Sequence, residues 1–249
     1  NSSLNFSYNK NKMTEITNSV LAVSAWAGRT AHVVGEPYGS VYAYKWAGLS
    51  STGEPQVYNE KGEVVQNSSN VKSIDALTSV GSLIPKYSGG FENFIRYKNF
   101  GLSFLFVFNG GNVFKKDVPS IQGTPQGLTS NYNKSLNNRW KAPGDESKTD
   151  VPKFNISPDN VDRSNLYQAS EQHWVSGDFI KLRNIELSYS LPKHFLNTLL
   201  VRSATVKFFA TNIFCVAKNK EGLDPEMFST EGYRYPIMPS YTLSLNVSF

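Results

Sequence analysis

The stretch Tyr241 to Phe249, YTLSLNVSF, decides the fold. Tyr241, Leu243, Leu245, Val247 and Phe249 fall on one side, Thr242, Ser244, Asn246 and Ser248 on the other. An unbroken period of two is the signature of a β-strand with one apolar and one polar face. Working outward, the pattern recurs at Phe100, Leu102, Phe104, Phe106 and Phe108, with Gly101, Ser103 and Asn109 opposite. It returns at Ile185, Leu187, Tyr189 and Leu191 against Asn184, Glu186, Ser188 and Ser190. Val206, Phe208, Ala210, Phe214 and Val216 form a further run that Asn212 interrupts on the apolar side. In Tyr87, Phe91, Ile95 and Tyr97 against Glu92, Arg96 and Lys98, Asn93 and Phe94 are out of phase. Weaker runs lie at Leu4, Phe6, Tyr8 and at Tyr42, Tyr44, Trp46. The sequence therefore predicts seven strands.

Composition agrees. Among 249 residues there are 16 Phe, 13 Tyr and 4 Trp, with 30 Ser and 24 Asn, and the net charge is only +5. Ser, Asn, Gly and Pro at this density suit many strands separated by turns and loops. The longest wholly apolar run is Phe104 to Phe108, far short of the ~20 residues a membrane helix needs. A β-barrel, which needs only alternation, is not excluded. The single Cys215 rules out a disulfide framework, and His32, His173 and His194 are scattered. The basic residues form no run, so nucleic acid is not an expected partner. Asn1 is neither a Met start nor the head of a leader, which reads as a fragment or processed piece.

Connection lengths carry further information, because short and long links alternate. Tyr97 to Phe100 is a tight turn, Asn109 to Asp178 is ~70 residues, Pro192 to Ser203 is modest, and Ala217 to Tyr235 is longer again. Another long excursion precedes Tyr87, from about Ala47. In an up-and-down antiparallel sheet, alternate connections share an end, so one end is tight and the other elaborate. Outer-membrane barrels have this asymmetry. A soluble β-sandwich also alternates apolar and polar residues. Against it stand the Phe- and Tyr-rich strand faces, whose aromatics gather near strand ends, and the difficulty of placing a ~70-residue loop in one small domain.

Several stretches resemble the SusC/RagA family of TonB-dependent outer-membrane transporters of Bacteroidetes-type bacteria. Gly177 to Pro192, GDFIKLRNIELSYSLP, is similar to the family's F-RL-N-LSY-LP segment. Thr211 to Phe214, TNIF, is followed by a family-like Asp224, Pro225, Glu226. Tyr87 to Phe106, YSGGFENFIRYKNFGLSFLF, resembles its GGF-N---YK-F-LSF hairpin, and Arg139 to Pro152, RWKAPGDESKTDVP, its RW--P----TD-P loop. SYNKNKMTEI (7–16) and GEPYGSVYAYKWAGL (35–49) fit the same order. One departure stands out: EPQVYNEKGEVV (54–65) replaces the family's acidic GD---D-NGDG stretch, so no metal or ligand role is carried over from it.

The resemblance implies an all-β chain forming the last seven or so strands of a 22-stranded antiparallel transmembrane barrel with long extracellular loops. Residues 1–249 would be the C-terminal part of one barrel domain, the plug, TonB box and small periplasmic domain lying before Asn1. Such a segment is expected not to fold alone, since a sheet open at both edges leaves an uncovered apolar face. The implied function is active import of large nutrients across the outer membrane, energised through TonB. The implied partners are a SusD-like surface lipoprotein, the lipid bilayer and an oligosaccharide or peptide substrate. No cofactor is expected. A passive or adhesive barrel and a secreted carbohydrate-binding sandwich are the alternatives.

Residue roles follow from this scheme. Tyr241, Leu243, Leu245, Val247 and Phe249 are expected to face lipid and to form the C-terminal signal for barrel assembly. Glu92, Arg96, Glu186, Ser188 and Ser190 are expected to face the lumen, since charge on the lipid face costs about 2–4 kcal/mol near the midplane. Tyr132, Trp140, Tyr167 and Trp174 in the longest loop are candidates for contact with a ligand or partner, or for the loop's own small core. Asp159, Asn160, Asp162 and Asn165 weakly resemble an oxygen cluster for calcium without the Gly and terminal Glu of an EF-hand. There is no GxSxG, HExxH or Walker loop, and catalysis is not expected.

Overall fold

The computed structural model describes residues 1–16, 23–123, 132–156, 161–198, 201–229, 232–233 and 237–249. The chain divides into two units, one made of residues 1–10, 85–114 and 176–249, the other of residues 11–84 and 115–175.

The first unit is a six-stranded antiparallel wall. Its strands are β1 (Ser2–Tyr8), β2 (Tyr87–Tyr97), β3 (Phe100–Gly110), β4 (Phe179–Ser190), β5 (Ser203–Ala217) and β6 (Ser240–Ser248). They lie side by side in chain order. Six of the seven expected strands are thus present. The seventh, around Tyr42 to Trp46, belongs to the other unit, so the first long connection runs from Tyr8 to Tyr87. The reason is visible in its neighbours: Ser40–Tyr44 is buried on both faces, so its alternation never had to separate apolar from polar surroundings.

Register brings the alternating apolar positions of the six strands onto one face, while Phe94, Leu105, Val107 and Phe209 lie on the other. Leu4 opposes Phe91, Phe91 opposes Phe106, Phe106 opposes Leu182 and Leu182 opposes Phe214. Further along the strands, Ile95, Leu102, Leu187, Phe208 and Leu243 continue the same row. A slip of one residue anywhere would turn a whole strand inside out. Phe6 and Phe108 stack across Gly89 at a centroid distance of 6.3 Å. A Cβ on Gly89 would stand 2.5 Å from the Phe108 ring and 2.4 Å from the Asn5 carbonyl oxygen, so only glycine fits between them.

The irregularities resolve as well. Asn93, a polar residue on the apolar face, donates to Ser2 Oγ of the adjacent strand at 2.5 Å. Asn212 has φ +52° beside a register shift between β4 and β5, and it accepts a hydrogen bond from Arg183 Nη1 at 3.2 Å. The broken alternation of β5 is therefore a bulge, a feature that re-aims side chains. At the tight end, Lys98 turns the β2–β3 hairpin at φ +52°, and Asn99 holds it to β4 through Asn99 Nδ2 to Ser190 O at 2.7 Å.

The second unit is folded from two long connections. Arg29–Thr30, Ser40–Tyr44 and Leu77–Ser82 make one three-stranded sheet, and Trp46–Leu49, Pro55–Tyr58 and Val64–Val65 another. Its core contains Ala27, Tyr42, Tyr44, Val57, Val71, Leu77 and Leu166. A smaller cluster of Ile121, Leu136 and Tyr167 packs with Trp46, Val118, Val151 and Phe154. The two connections are sewn together by polar contacts. Arg163, nearly fully buried, pairs with Glu54, which also takes Lys153 at 2.6 Å. Asp162 accepts from the Ser68 backbone N–H at 2.8 Å and from its hydroxyl, and Trp46 N–H donates to Glu171 at 3.2 Å. Burying Arg163 is tolerable only because the carboxylate and two carbonyls answer its donors.

Candidate functional site

The wall's two faces are the features from which a function can be built. Leu4, Phe6, Ile95, Leu187, Phe208, Phe214, Leu243 and Leu245 are all exposed on the apolar face, Leu243 at 75%. Burying such side chains would each be worth about 1.5–3 kcal/mol. An apolar surface this continuous marks an interface with something apolar. Aromatic residues gather at its margins. Tyr97 and Phe100 face each other across the hairpin, and Phe100 packs on Tyr189 at 4.6 Å. Tyr8 opposes Tyr87 at the other end. Tyrosines at both strand ends flank a centre of phenylalanine and aliphatic side chains, a profile that suits a membrane-facing strand set. The strands of 9 to 15 residues from β2 to β6 include the length needed to cross a bilayer at a tilt. No helix among the described residues is long and apolar enough to do so.

The opposite face is polar. Tyr241, Leu243, Leu245 and Val247 lie on the apolar side, and Thr242, Ser244 and Asn246 on this one. Phe249 is 85% exposed just past β6. Glu186 and Lys207 pair here at 2.9 Å, and Ser188 donates to the Gly101 carbonyl at 3.3 Å. Ser190 meets Thr205 at 3.4 Å. Glu92 and Arg96, exposed on the same face, make no ion pair among the described residues. Phe94 shares that face, which accounts for its phase, and its ring lies near Gly101.

Sequence reasoning missed the strongest charge cluster of the wall. Lys181 contacts Asp224 at 2.6 Å and Glu226 at 2.5 Å, and Arg183 contacts Glu226 at 2.5 Å. Burial alone would raise the Glu226 carboxyl, but hydrogen bonds from Arg183 and Lys181 outweigh it and hold it below its ordinary range. The signal was present in the sequence as the Lys and Arg of KLRN and the Asp-Pro-Glu that follows. Nothing local could have paired residues some 40 positions apart. Asp178 is a second hub: it accepts from Gly111 N–H at 2.7 Å, Lys218 Nζ at 3.2 Å and Tyr87 Oη at 3.4 Å, joining the ends of β2, β3 and β5.

The four loop aromatics sit in different surroundings. Tyr167 is 2% exposed, set between Trp46 at 6.0 Å and His173 at 4.6 Å, so it has no free ring face. This corrects the expectation of a ligand contact there: the residue is needed by the core. Trp140 donates to Glu146 at 3.1 Å and lies against Gly53, and Trp174 is half-buried. Tyr132 keeps an exposed edge while packing on Phe154 at 5.2 Å.

Burial also governs titration here. It pushes the Tyr44 hydroxyl up to about 12, with help from Asp162, and raises Tyr167 as well. It pushes His173 down to about 3, assisted by Lys116 and Lys115. Of the calcium-like set, Asp159 and Asn160 lie outside the described residues, and Asp162 is engaged by Ser68. No metal-binding group of three His, Cys, Asp or Glu occurs among the described residues. Glu54 to Val65 forms a hairpin whose tip is closed by Asn59, accepting from Lys61 N–H at 3.0 Å and Glu63 N–H at 2.9 Å.

No protein-family model matches the chain. Curated relatives do. It is 31% identical over 193 residues to TonB-dependent receptor P39 of Formosa agariphila, covering 72% of this chain and 18% of that one. It is 22% identical over 277 residues to TonB-dependent receptor P3 of the same organism, covering 98% of this chain and 26% of that one. Among solved structures it is similar to one described as the RagAB peptide transporter, with a TM-score of 0.72 and 26% identity over 100% of this chain and 26% of that one. The RagAB peptide importer in its closed-closed state gives 0.69 and 25%, covering 100% of this chain and 27% of that one. The class is thus that of the TonB-dependent receptors. Within it, the ordered motifs and the likeness to RagAB assign the chain to the SusC/RagA family. It spans about a quarter or less of the length of the curated relatives quoted.

Proposed function

We propose that this chain is the C-terminal part of the wall of a transmembrane β-barrel in the outer membrane of a Bacteroidetes-type bacterium, of the 22-stranded, plugged kind. The whole protein imports nutrients too large for passive pores, energised through TonB, with a SusD-like surface lipoprotein at the extracellular mouth. The observation that carries this reading is the register: six consecutive strands present one exposed apolar face, rimmed by aromatics, and one polar face. A sandwich would bury that apolar face rather than expose it. In the membrane, Glu92, Arg96, Glu186 and Ser188 line the aqueous side, Tyr241, Leu243, Leu245 and Val247 touch lipid, and Phe249 contributes to the assembly signal. Tyr132, the most open of the loop aromatics, remains the candidate for partner or substrate contact.

The substrate is an oligosaccharide or a peptide, and the likeness to a peptide importer supports the peptide class. The parent strain and a deletion strain are compared for growth on defined peptides and oligosaccharides as sole nutrients, with and without collapse of the inner-membrane proton gradient. Loss of growth on one class in the deletion strain, and loss of its uptake on de-energisation, is expected. Uptake unaffected by both treatments refutes energised import. Phe249→Asp is expected to lower the amount of protein in the outer-membrane fraction, and an unchanged amount would remove the assembly role.

A further inference from the structure

Between β5 and β6 the chain does not simply leave the wall. Lys218 donates its backbone N–H to the Asp178 carbonyl at 2.9 Å and its ammonium to the Asp178 carboxylate at 3.2 Å. Buried Asn219 then staples Leu223 from both sides, Nδ2 to the Leu223 carbonyl at 2.7 Å and Leu223 N–H to Oδ1 at 2.8 Å. Asp224 caps the single turn Pro225–Met227 by accepting from Glu226 N–H at 3.1 Å. That turn brings two carboxylates onto Lys181 and Arg183. Finally, Phe228 stacks on Phe114 at 4.9 Å.

The place of contact matters. Lys181 and Cys215 are register partners, and both belong to the polar face, out of phase with Ile180, Leu182, Phe214 and Val216. Asp224 reaches both, touching Lys181 Nζ and lying 3.8 Å from Cys215 Sγ. Arg183 occupies the irregularity in β4, and Asn212, in the left-handed region of β5, accepts from it. Two adjacent strands are thus bulged at the level where their cations meet the turn. The charges balance, two cations against two carboxylates. Lys181, with a side chain only 3% exposed, is in a setting where losing its partners would leave a desolvated charge.

We propose that Lys181, Arg183, Asp224 and Glu226 form an ion-pair latch that holds residues 218–228 as a strap folded over the polar face of β4 and β5, covering Cys215. The latch rests on the geometry of this unit and does not depend on whether the wall belongs to a transporter. If the wall does enclose a passage, whatever moves along this part of it must pass the strap.

The test uses the full-length protein in outer-membrane vesicles, with peptide-resolved mass spectrometry following two rates: labelling of Cys215 by a hydrophilic maleimide, and tryptic cleavage after exposed Lys220. In Lys181→Met both rates should rise at least about tenfold, because a lost partner in a desolvated ion pair shifts a local opening equilibrium by more than a decade. Glu226→Gln leaves Asp224 to neutralise Lys181, and a smaller rise in both rates is expected. Should Lys181→Met fail to reach the membrane, Glu226→Gln gives the same readout on folded protein. Faster labelling with unchanged cleavage would reflect altered thiol reactivity alone and would overturn the latch. So would unchanged rates in a variant present in the membrane at normal amounts.

Discussion

The wall and the loop unit are made from the same aromatic-rich sequence, yet they use apolar residues in opposite ways. In the wall, Leu4, Phe6, Leu243 and Leu245 stand exposed in register, and hydrogen bonding between strands organises the sheet. In the loop unit, Tyr44, Val57, Leu166 and Tyr167 are withdrawn from solvent into cores that the two connections complete jointly. The lesson is that apolar content alone does not say where a core is. The environment a face is built for decides whether its exposure is a defect or a function.

Four experiments test this contrast. Leu166 is 0% exposed, so Leu166→Ala should destabilise the loop unit by about 2–5 kcal/mol, whereas Leu243→Ala in the wall should cost far less. Hydrogen exchange of residues 40–58 and 161–175 in membrane-embedded protein reads the first effect, and equal losses would erase the distinction. Leu243→Arg should cost about 2–4 kcal/mol if that face meets lipid near the midplane, while its polar-face neighbour Ser244→Arg should be tolerated. Detergent-free refolding into bilayers against urea measures both, and matched costs would argue against a lipid-facing side.

The third concerns pH. His173 has its folded pKa held down to about 3 by burial, below an unfolded value near 6.5. The unfolded state therefore binds the proton first. The stability that neutral His173 contributes is intact above pH 6.5 and declines as pH falls from there toward 3, by up to about 1.4 kcal/mol per unit. Protection factors around residues 161–175, that is, exchange rates corrected for the intrinsic slowing of amide exchange in acid, should fall between pH 6.5 and 5 in the native protein and less so in His173→Leu. Identical pH profiles would remove the histidine from the account. Last, Asn59→Ala removes the side chain that closes the hairpin tip, at about 1 kcal/mol, with faster exchange expected at Lys61 and Glu63 only.

Much of the wall was legible in the sequence because a sheet with one apolar and one polar face has to repeat both residue by residue. Five strong alternations and the weak Leu4–Tyr8 run became strands, and the links after Tyr97 fell where the pattern put them, while the long link before Tyr87 starts at Tyr8 rather than near Ala47. Tyr42 to Trp46 was misread for a physical reason: a strand buried on both sides can alternate by accident, and its neighbours come from far along the chain. The loop aromatics were ambiguous on the same ground. Tyr167 and Tyr132 look equivalent in sequence, and only packing against Trp46 and His173 separates them.

By itself, then, the sequence determined the strand faces, the tight and elaborate ends and, through its ordered motifs, the family resemblance, because each depends on periodicity or local order. The tertiary structure alone decided which cations meet which carboxylates, that Asn212 marks a bulge rather than a fault, and that residues from two distant connections share one core. Those facts rest on contacts between positions far apart in the chain. Local spacing carries no record of them, because strand register and loop closure are fixed only when the whole set of faces is satisfied together.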